Sequence, residues 1–286
     1  MKKTLLSLLV VPFMGLICGC SNKSNDLKRF GYKGDIDTVI ISDYSLINKF
    51  GEEQLGERES KVVLCFDGKG YITDRYDYWS SDTLRYRRVF THNNKGYISE
   101  GYCYDANQKL VEIIKYNNDN EGRTLEETFL TPAYEVSGKE KYSYDDEGNL
   151  IKRCRYDEDG EISGFFYTFN YNANNKLVEE YDYFSDGDLN GKWVYTYNPD
   201  GVLIENSYYD YSSYSEEFEL DRRWVHKYDS KGREVEALRY DEDGNLDYKW
   251  KNGYDNKGNM IYEKSYDVKG GLEVPDRIVQ YEIKYK

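Results

Sequence analysis

Tyr144-Asp145-Asp146-Glu147-Gly148-Asn149-Leu150 returns as Tyr254-Asp255-Asn256-Lys257-Gly258-Asn259-Met260 and, more loosely, as Tyr197-Asn198-Pro199-Asp200-Gly201-Val202-Leu203. Aligned on its fifth position, the motif falls at Gly70, Gly96, Gly122, Gly148, Asn175, Gly201, Gly232 and Gly258, in steps of 26, 26, 26, 27, 26, 31 and 26 residues. Self-similarity at a fixed period marks a repeat architecture in which each unit buries its apolar face against the next. Asn175 shows what this beat position demands. After glycine, asparagine best tolerates the left-handed backbone, so the position selects positive φ and not glycine as such.

Twelve residues after each beat stands a second marker: Tyr78, Tyr104, Leu130, Tyr156, Tyr183, Tyr209, Tyr240 and Tyr266. In Tyr156-Asp157-Glu158-Asp159-Gly160 and Tyr240-Asp241-Glu242-Asp243-Gly244 this marker also leads into a turn, so each unit holds two strands and two reversals, the second degraded in the earlier units. Asp-Glu-Asp-Gly and Asn-Pro-Asp-Gly suit a type I turn followed by a left-handed residue, which closes a bulged hairpin and makes neighbouring strands antiparallel. Alternation sets Ile72, Tyr76 and Tyr78 on one face, likewise Leu177, Tyr181 and Tyr183, with Glu180 and Asp182 opposed; Leu84, Tyr86 and Phe90, and Leu246, Tyr248, Trp250 and Tyr254, share faces on return strands. The expectation is an all-β fold with one aromatic and one polar face: a long antiparallel meander of about sixteen strands, too wide to stay flat and so rolled into a curled sheet or open shell.

Composition supports an ordered, ring-built body. The 286 residues include 32 Tyr, 11 Phe and 4 Trp, with a mean hydropathy of -0.87. A formal charge of -14 repels phosphate backbones, so nucleic acid is not expected as a partner. Lys2 and Lys3, the apolar run Leu5 to Cys18 and Gly19-Cys20-Ser21 have the layout of a signal peptide, too short for a spanning helix. The organisation read from sequence is a signal peptide over 1–19, a tether over 20–34, strands over 35–65 that continue or cap the sheet, and eight repeat units over 66–286.

Leu16-Ile17-Cys18-Gly19-Cys20 resembles the lipobox of bacterial lipoproteins. The resemblance implies cleavage before Cys20 and acylation of its thiol, palmitate included, and Ser21 in place of Asp implies the outer membrane of a diderm cell. The Tyr-Asp-x-x-Gly-Asn-Leu units resemble YD repeats of the RHS-repeat class, from Phe66 onward. Large members of that class wind their repeats into a hollow shell, and small lipoproteins of diderm bacteria carry shorter arrays. The period here departs from the shorter one usual in the large shells.

Cys65, Cys103 and Cys154 are an odd set without CxxC spacing, and His92 and His226 are the only histidines, so no metal or cofactor is expected. Asn117-x-Asp119-x-Glu121-Gly122 imitates half of a calcium loop, but its twelfth position is Thr128, not a bidentate Glu. Glu179 and Glu205 recur on the aromatic face and read as solvated or Lys-paired carboxylates rather than a glycosidase pair. The insertion around Tyr208, Tyr209, Tyr211 and Tyr214 is the candidate binding surface. The reading is a non-enzymatic, outer-membrane-anchored lipoprotein acting as a binding or scaffold module for protein or glycan. A glycan-processing enzyme and an immunity-type lipoprotein that neutralises a toxin are the alternatives.

Overall fold

The computed structural model describes residues 25–286. One turn of helix, α1 (Asp26–Arg29), precedes eighteen strands: β1 (Ile36–Lys49), β2 (Glu52–Phe66), β3 (Ile72–Trp79), β4 (Leu84–His92), β5 (Ile98–Asp105), β6 (Leu110–Asn118), β7 (Thr124–Leu130), β8 (Val136–Tyr144) and β9 (Leu150–Tyr156). The series continues with β10 (Ile162–Tyr171), β11 (Leu177–Tyr183), β12 (Leu189–Tyr197), β13 (Leu203–Ser212), β14 (Glu217–Tyr228), β15 (Glu234–Tyr240), β16 (Leu246–Tyr254), β17 (Met260–Lys269) and β18 (Leu272–Tyr285). Each strand pairs antiparallel with the next, and β18 returns to β1 over Thr38↔Lys284 to Ser45↔Arg277. The sheet is therefore a closed up-and-down barrel of eighteen strands, not an open shell of sixteen. Residues 35–65 continue the sheet: β1 and β2 are two of its staves, and the β1–β18 ladder closes it edge to edge.

The beat turns share one rim, here called the beat rim. All eight beat residues have positive φ, from 54° at Asn175 to 89° at Gly148. In each turn the beat N–H donates to the carbonyl of the residue three before it, as Gly148 does to Asp145 at 3.1 Å. The Asp or Asn there also uses its side chain: Asp119 Oδ1 accepts from the N–H groups of Glu121 and Arg123, each at 2.9 Å, and Asp255 Oδ1 from those of Lys257 and Asn259. The preceding Tyr turns inward and donates to the previous turn: Tyr144 Oη to Thr124 O at 2.9 Å, Tyr171 to Leu150 O, Tyr197 to Leu177 O and Tyr254 to Glu234 O. Asn118 makes the same bond to Ile98 O through its amide.

At the far rim the second reversals are complete in the early units too. Asp82, Gln108 and Tyr134 take positive φ there without being glycine, which is why those turns look degraded in sequence.

Rings line both faces, which corrects the expectation of a single aromatic side. Register puts Tyr76, Tyr78, Tyr181 and Tyr183 outside, and Tyr86, Phe90, Tyr248, Trp250 and Tyr254 inside. The outer rings are covered by cationic stems: Lys61 Nζ lies 4.4 Å from the Tyr78 centroid, Arg223 Cζ 4.8 Å from Tyr240 and Lys251 Nζ 4.6 Å from Tyr266. A ring needs no apolar core when a lysine or arginine lies over it.

The start of β1 and the end of β18 meet at the beat rim, where Lys286 N donates to Asp35 O at 3.0 Å. Eight turns and this junction make nine corners. Residues 25–34, expected as tether, fill the ninth: Leu27, Phe30 and Tyr32 pack on Val39, Ile41, Val62, Leu64 and Phe66 inside the wall. Asp26, 1% exposed, accepts from Ile72 N at 2.8 Å and lies 2.8 Å from His92 Nε2.

Two glycines separate the demands of a beat. A Cβ on Gly122 would lie 2.3 Å from Tyr97 Cε1, whereas one on Gly160, with a similar φ of 85°, would meet nothing within 4 Å. Gly160→Ala should cost about 1–2 kcal/mol from backbone strain, and Gly122→Ala more than about 2 kcal/mol because Tyr97 must also move. Urea unfolding of the two variants measures the difference.

Candidate functional site

Alternation brings every second side chain of each strand into the lumen, and the beat alignment sorts them into levels. Eight residues before each beat, at mid-height on the even strands, stand Val62, Arg88, Ile114, Glu140, Tyr167, Trp193, Trp224 and Trp250. One half of this ring is aliphatic or charged and the other aromatic. Trp193, Trp224 and Trp250 sit on β12, β14 and β16, and all three are only half-buried. The Trp193 and Trp224 centroids are 4.9 Å apart, and Trp193 also meets Tyr208 at 5.1 Å. Gly191 makes room for that tyrosine, since a Cβ there would lie 2.4 Å from Tyr208 Oη. Trp250 meets Tyr248 at 4.4 Å, and the Arg239 guanidinium lies 4.9 Å from the Tyr248 centroid.

Polar groups frame these rings. Tyr208 Oη donates to Asp182 Oδ1 at 3.3 Å, and Asn190 Nδ2 reaches both Asp182 and Tyr208 Oη, the latter at 3.2 Å. Tyr248 Oη donates to Ser265 Oγ at 2.8 Å and also contacts Asp276. Arg239 is held on Asp247 by two bonds of 2.9 and 2.8 Å. His226 sits between Asn206 Oδ1 at 2.5 Å and Glu234 Oε2 at 3.0 Å. Burial, then the charge of Asp221, pushes the Asp210 carboxyl up.

On the neighbouring wall, burial and the facing Glu140 push Glu127 up to about 7, while Tyr142 donates to its Oε1 at 3.2 Å. Burial also raises Glu180 and Glu263, with Tyr195 donating to Glu180 at 3.0 Å.

The outer wall is of another kind. Lys139 and Glu126 pair at 3.1 Å, and Lys227, Glu236, Lys249, Glu273 and Lys251 form a chain of contacts between 2.6 and 3.0 Å. A wall laced with such charges contrasts with the apolar band that a membrane-spanning barrel presents to hydrocarbon. Among the described residues no helix is long and apolar enough to cross a membrane.

The residues picked from sequence fall apart in space. Of the insertion, Tyr208 points into the lumen, Tyr209 and Tyr211 point out, and Tyr214 stands 99% exposed at the β13–β14 tip. They do not form one surface, because neighbours on a strand face opposite ways. Glu179 and Glu205 are outside, Glu205 pairing with Arg223 at 3.3 Å and Glu179 accepting from Asn170 at 3.2 Å. Cys65, Cys103 and Cys154 are free thiols on strands. Among the described residues no cluster of His, Cys, Asp or Glu could hold a metal ion. Asp119 is committed to its turn and to Arg123 at 2.5 Å. Cys20 lies outside the described residues. Sequence reasoning missed the tryptophan row; the signal was present eight residues before each beat, but inside and outside were not yet distinguished.

No family model matches the chain, and no curated protein matches it. Among solved structures it is similar to a porin-like protein from Bacteroides uniformis, at 11% identity over 87% of this chain and 98% of that one, with a TM-score of 0.45. It is also similar to a Tc holotoxin pore of Photorhabdus luminescens, at 12% identity over 85% of this chain and 16% of that one, with a TM-score of 0.30. A DUF1329 family protein from Desulfovibrio piger aligns at 12% identity over 88% and 86%, with a TM-score of 0.25.

Glu127 yields a pH test. Its carboxyl titrates at about 7 in the folded chain against an ordinary 4.5, so the folded state holds a proton that the unfolded state has released between those values. That contribution to stability is complete below pH 4.5 and is lost as pH rises through 7. Glu127→Gln should leave stability unchanged near pH 4 and raise it by ~1–3 kcal/mol at pH 8, read by denaturant titration across pH.

Proposed function

We propose that the chain is a non-enzymatic binding module of the bacterial envelope, held to the outer membrane through acylated Cys20 and taking its ligand on the inner wall of the barrel. The observation that carries this reading is the partly exposed aromatic and polar half-wall at mid-height of the lumen. The placement of the chain ends supports the anchoring. Asn25 lies at the beat rim, where its amide donates to Lys69 O, and only 4 residues separate it from Cys20, so the beat rim faces the lipid and the far rim faces away. The charged outer wall fits a tethered, water-surrounded barrel better than an inserted one. The likeness to YD-repeat lipoproteins accords with a scaffold that presents a site and adds no chemistry of its own.

A second reading, a glycan-processing enzyme, draws on Glu127 and Glu140 facing each other in the lumen beside Arg153, which lies 3.5 Å from Glu140. One carboxyl held protonated near neutrality beside another is the acid and base arrangement that glycoside hydrolysis uses. Release of reducing ends from envelope or dietary glycans, abolished in Glu127→Gln, would establish it.

The anchor is tested by expressing the full chain and its Cys20→Ser variant in a diderm host with labelled palmitate. The parent should take up label and sediment with outer membranes, and the variant should do neither. A parent without label would refute the anchor.

A further inference from the structure

We infer that the Trp193, Trp224 and Trp250 wall binds a neutral oligosaccharide, a step that rests on the binding-module reading and names its ligand. The repeat supplies the argument. The same level of the same wall carries Val62, Arg88, Ile114 and Glu140 in other units, so the fold closes without a large ring at this position. Three of the four tryptophans in the chain nevertheless stand there in succession, on every second strand from β12 to β16. Their strands occupy about 19 Å of the wall, four spacings of about 4.8 Å, and the Trp193 and Trp224 rings meet with centroids 4.9 Å apart. All three are partly exposed, with the small side chains of Ala237 and Ser265 paired to Trp250, and Asn206 and Arg239 paired to Trp224.

The groups at the edge of the platform choose the ligand. Apolar ring faces stack on the C–H faces of pyranoses, and hydroxyls at the sugar rim need carboxylates, amides and phenols within reach. Asp182, Asn190, Tyr208 and Asp210 flank Trp193, and Tyr248, Asp276 and Ser265 flank Trp250. The arginines of this wall carry no spare charge: Arg239 is bound to Asp247, and Arg222 lies 2.5 Å from Asp221. The remaining carboxylates repel uronate, sulfate and phosphate, so the sugar is uncharged. An apolar protein segment would offer no donor to the Asp210 carboxylate, which burial already disfavours as an anion.

The fourth tryptophan, Trp79, is 50% exposed on the last residue of β3, at the far rim. Trp79→Phe in the purified full chain therefore leaves fluorescence that reports only the lumen. This variant is titrated with tetra- to hexasaccharides of the cello, malto, xylo, manno and N-acetylglucosamine series, with oligogalacturonate as the anionic comparator. At least one neutral series should shift the emission saturably, and adding Trp224→Ala or Trp250→Ala should weaken that binding by about three- to tenfold. Adding Trp224→Phe should weaken it less, and retained far-ultraviolet dichroism shows that each variant is folded. A response to oligogalacturonate alone, to no sugar, or one indifferent to both alanine changes overturns the inference. In those cases, retention of an envelope protein by the full chain leaves the binding-module reading standing without its sugar, and failure to retain any envelope component brings that reading down as well.

Discussion

The barrel depends on a corner that combines three bonds within seven residues. The beat residue in left-handed conformation lets its N–H return to the carbonyl three before it. The Asp or Asn at that carbonyl brackets the turn with its side chain, and at four corners the Tyr before it reaches inward to the previous corner. Only the third bond is long-range. Tyr197 to Leu177, 20 residues apart, ties one hairpin to the next, so each corner sets the register of its neighbour. Phenylalanine would fill the same space without the hydroxyl, and for this reason the chain favours tyrosine over other apolar residues at the position. A side chain from one corner also lies on the next, as Tyr71 does on Gly96 and Tyr97 on Gly122. Backbone conformation and steric room then demand glycine together.

How much of this the sequence discloses follows from how narrowly each position is constrained. The beat-rim corners are legible because positive φ and a covering neighbour admit almost only Gly or Asn. The far-rim corners hide behind Asp82, Gln108, Tyr134 and Glu216, which take the same conformation at a strain the open rim tolerates. Closure is not legible at all. It rests on Val39 finding Ile283 and Asp43 finding Val279, contacts between chain ends that no local period encodes. The ninth corner is equally opaque, since nothing about Asp26 in sequence announces a buried carboxylate shared by Ile72 N and His92.

The distribution of rings explains why the site was missed. A ring on a strand can be buried against other rings or roofed by a cationic stem, and this chain uses both. Tyrosines therefore carry no information about sidedness, and four of them in one insertion scatter to the lumen, the exterior and a loop tip. Tryptophan behaves differently here. Trp193, Trp224 and Trp250 share one level, and the units that lack them replace them with residues as unlike as Val62, Arg88 and Glu140.

That contrast separates scaffold from site by an internal control. Eight copies of one structural unit expose which positions the fold constrains, because a constrained position varies little among them. Beat residues and their brackets are such positions. The mid-height lumen position varies from unit to unit: Val62 and Ile114 are buried there at 2% exposure each, whereas Trp193, Trp224 and Trp250 are partly exposed. The acidic half near Glu127 and Glu140 and the aromatic half around Trp224 are thus two surfaces of one lumen. The half that sets ring faces beside hydrogen-bonding groups is the one whose chemistry matches a ligand that is part apolar and part hydroxyl.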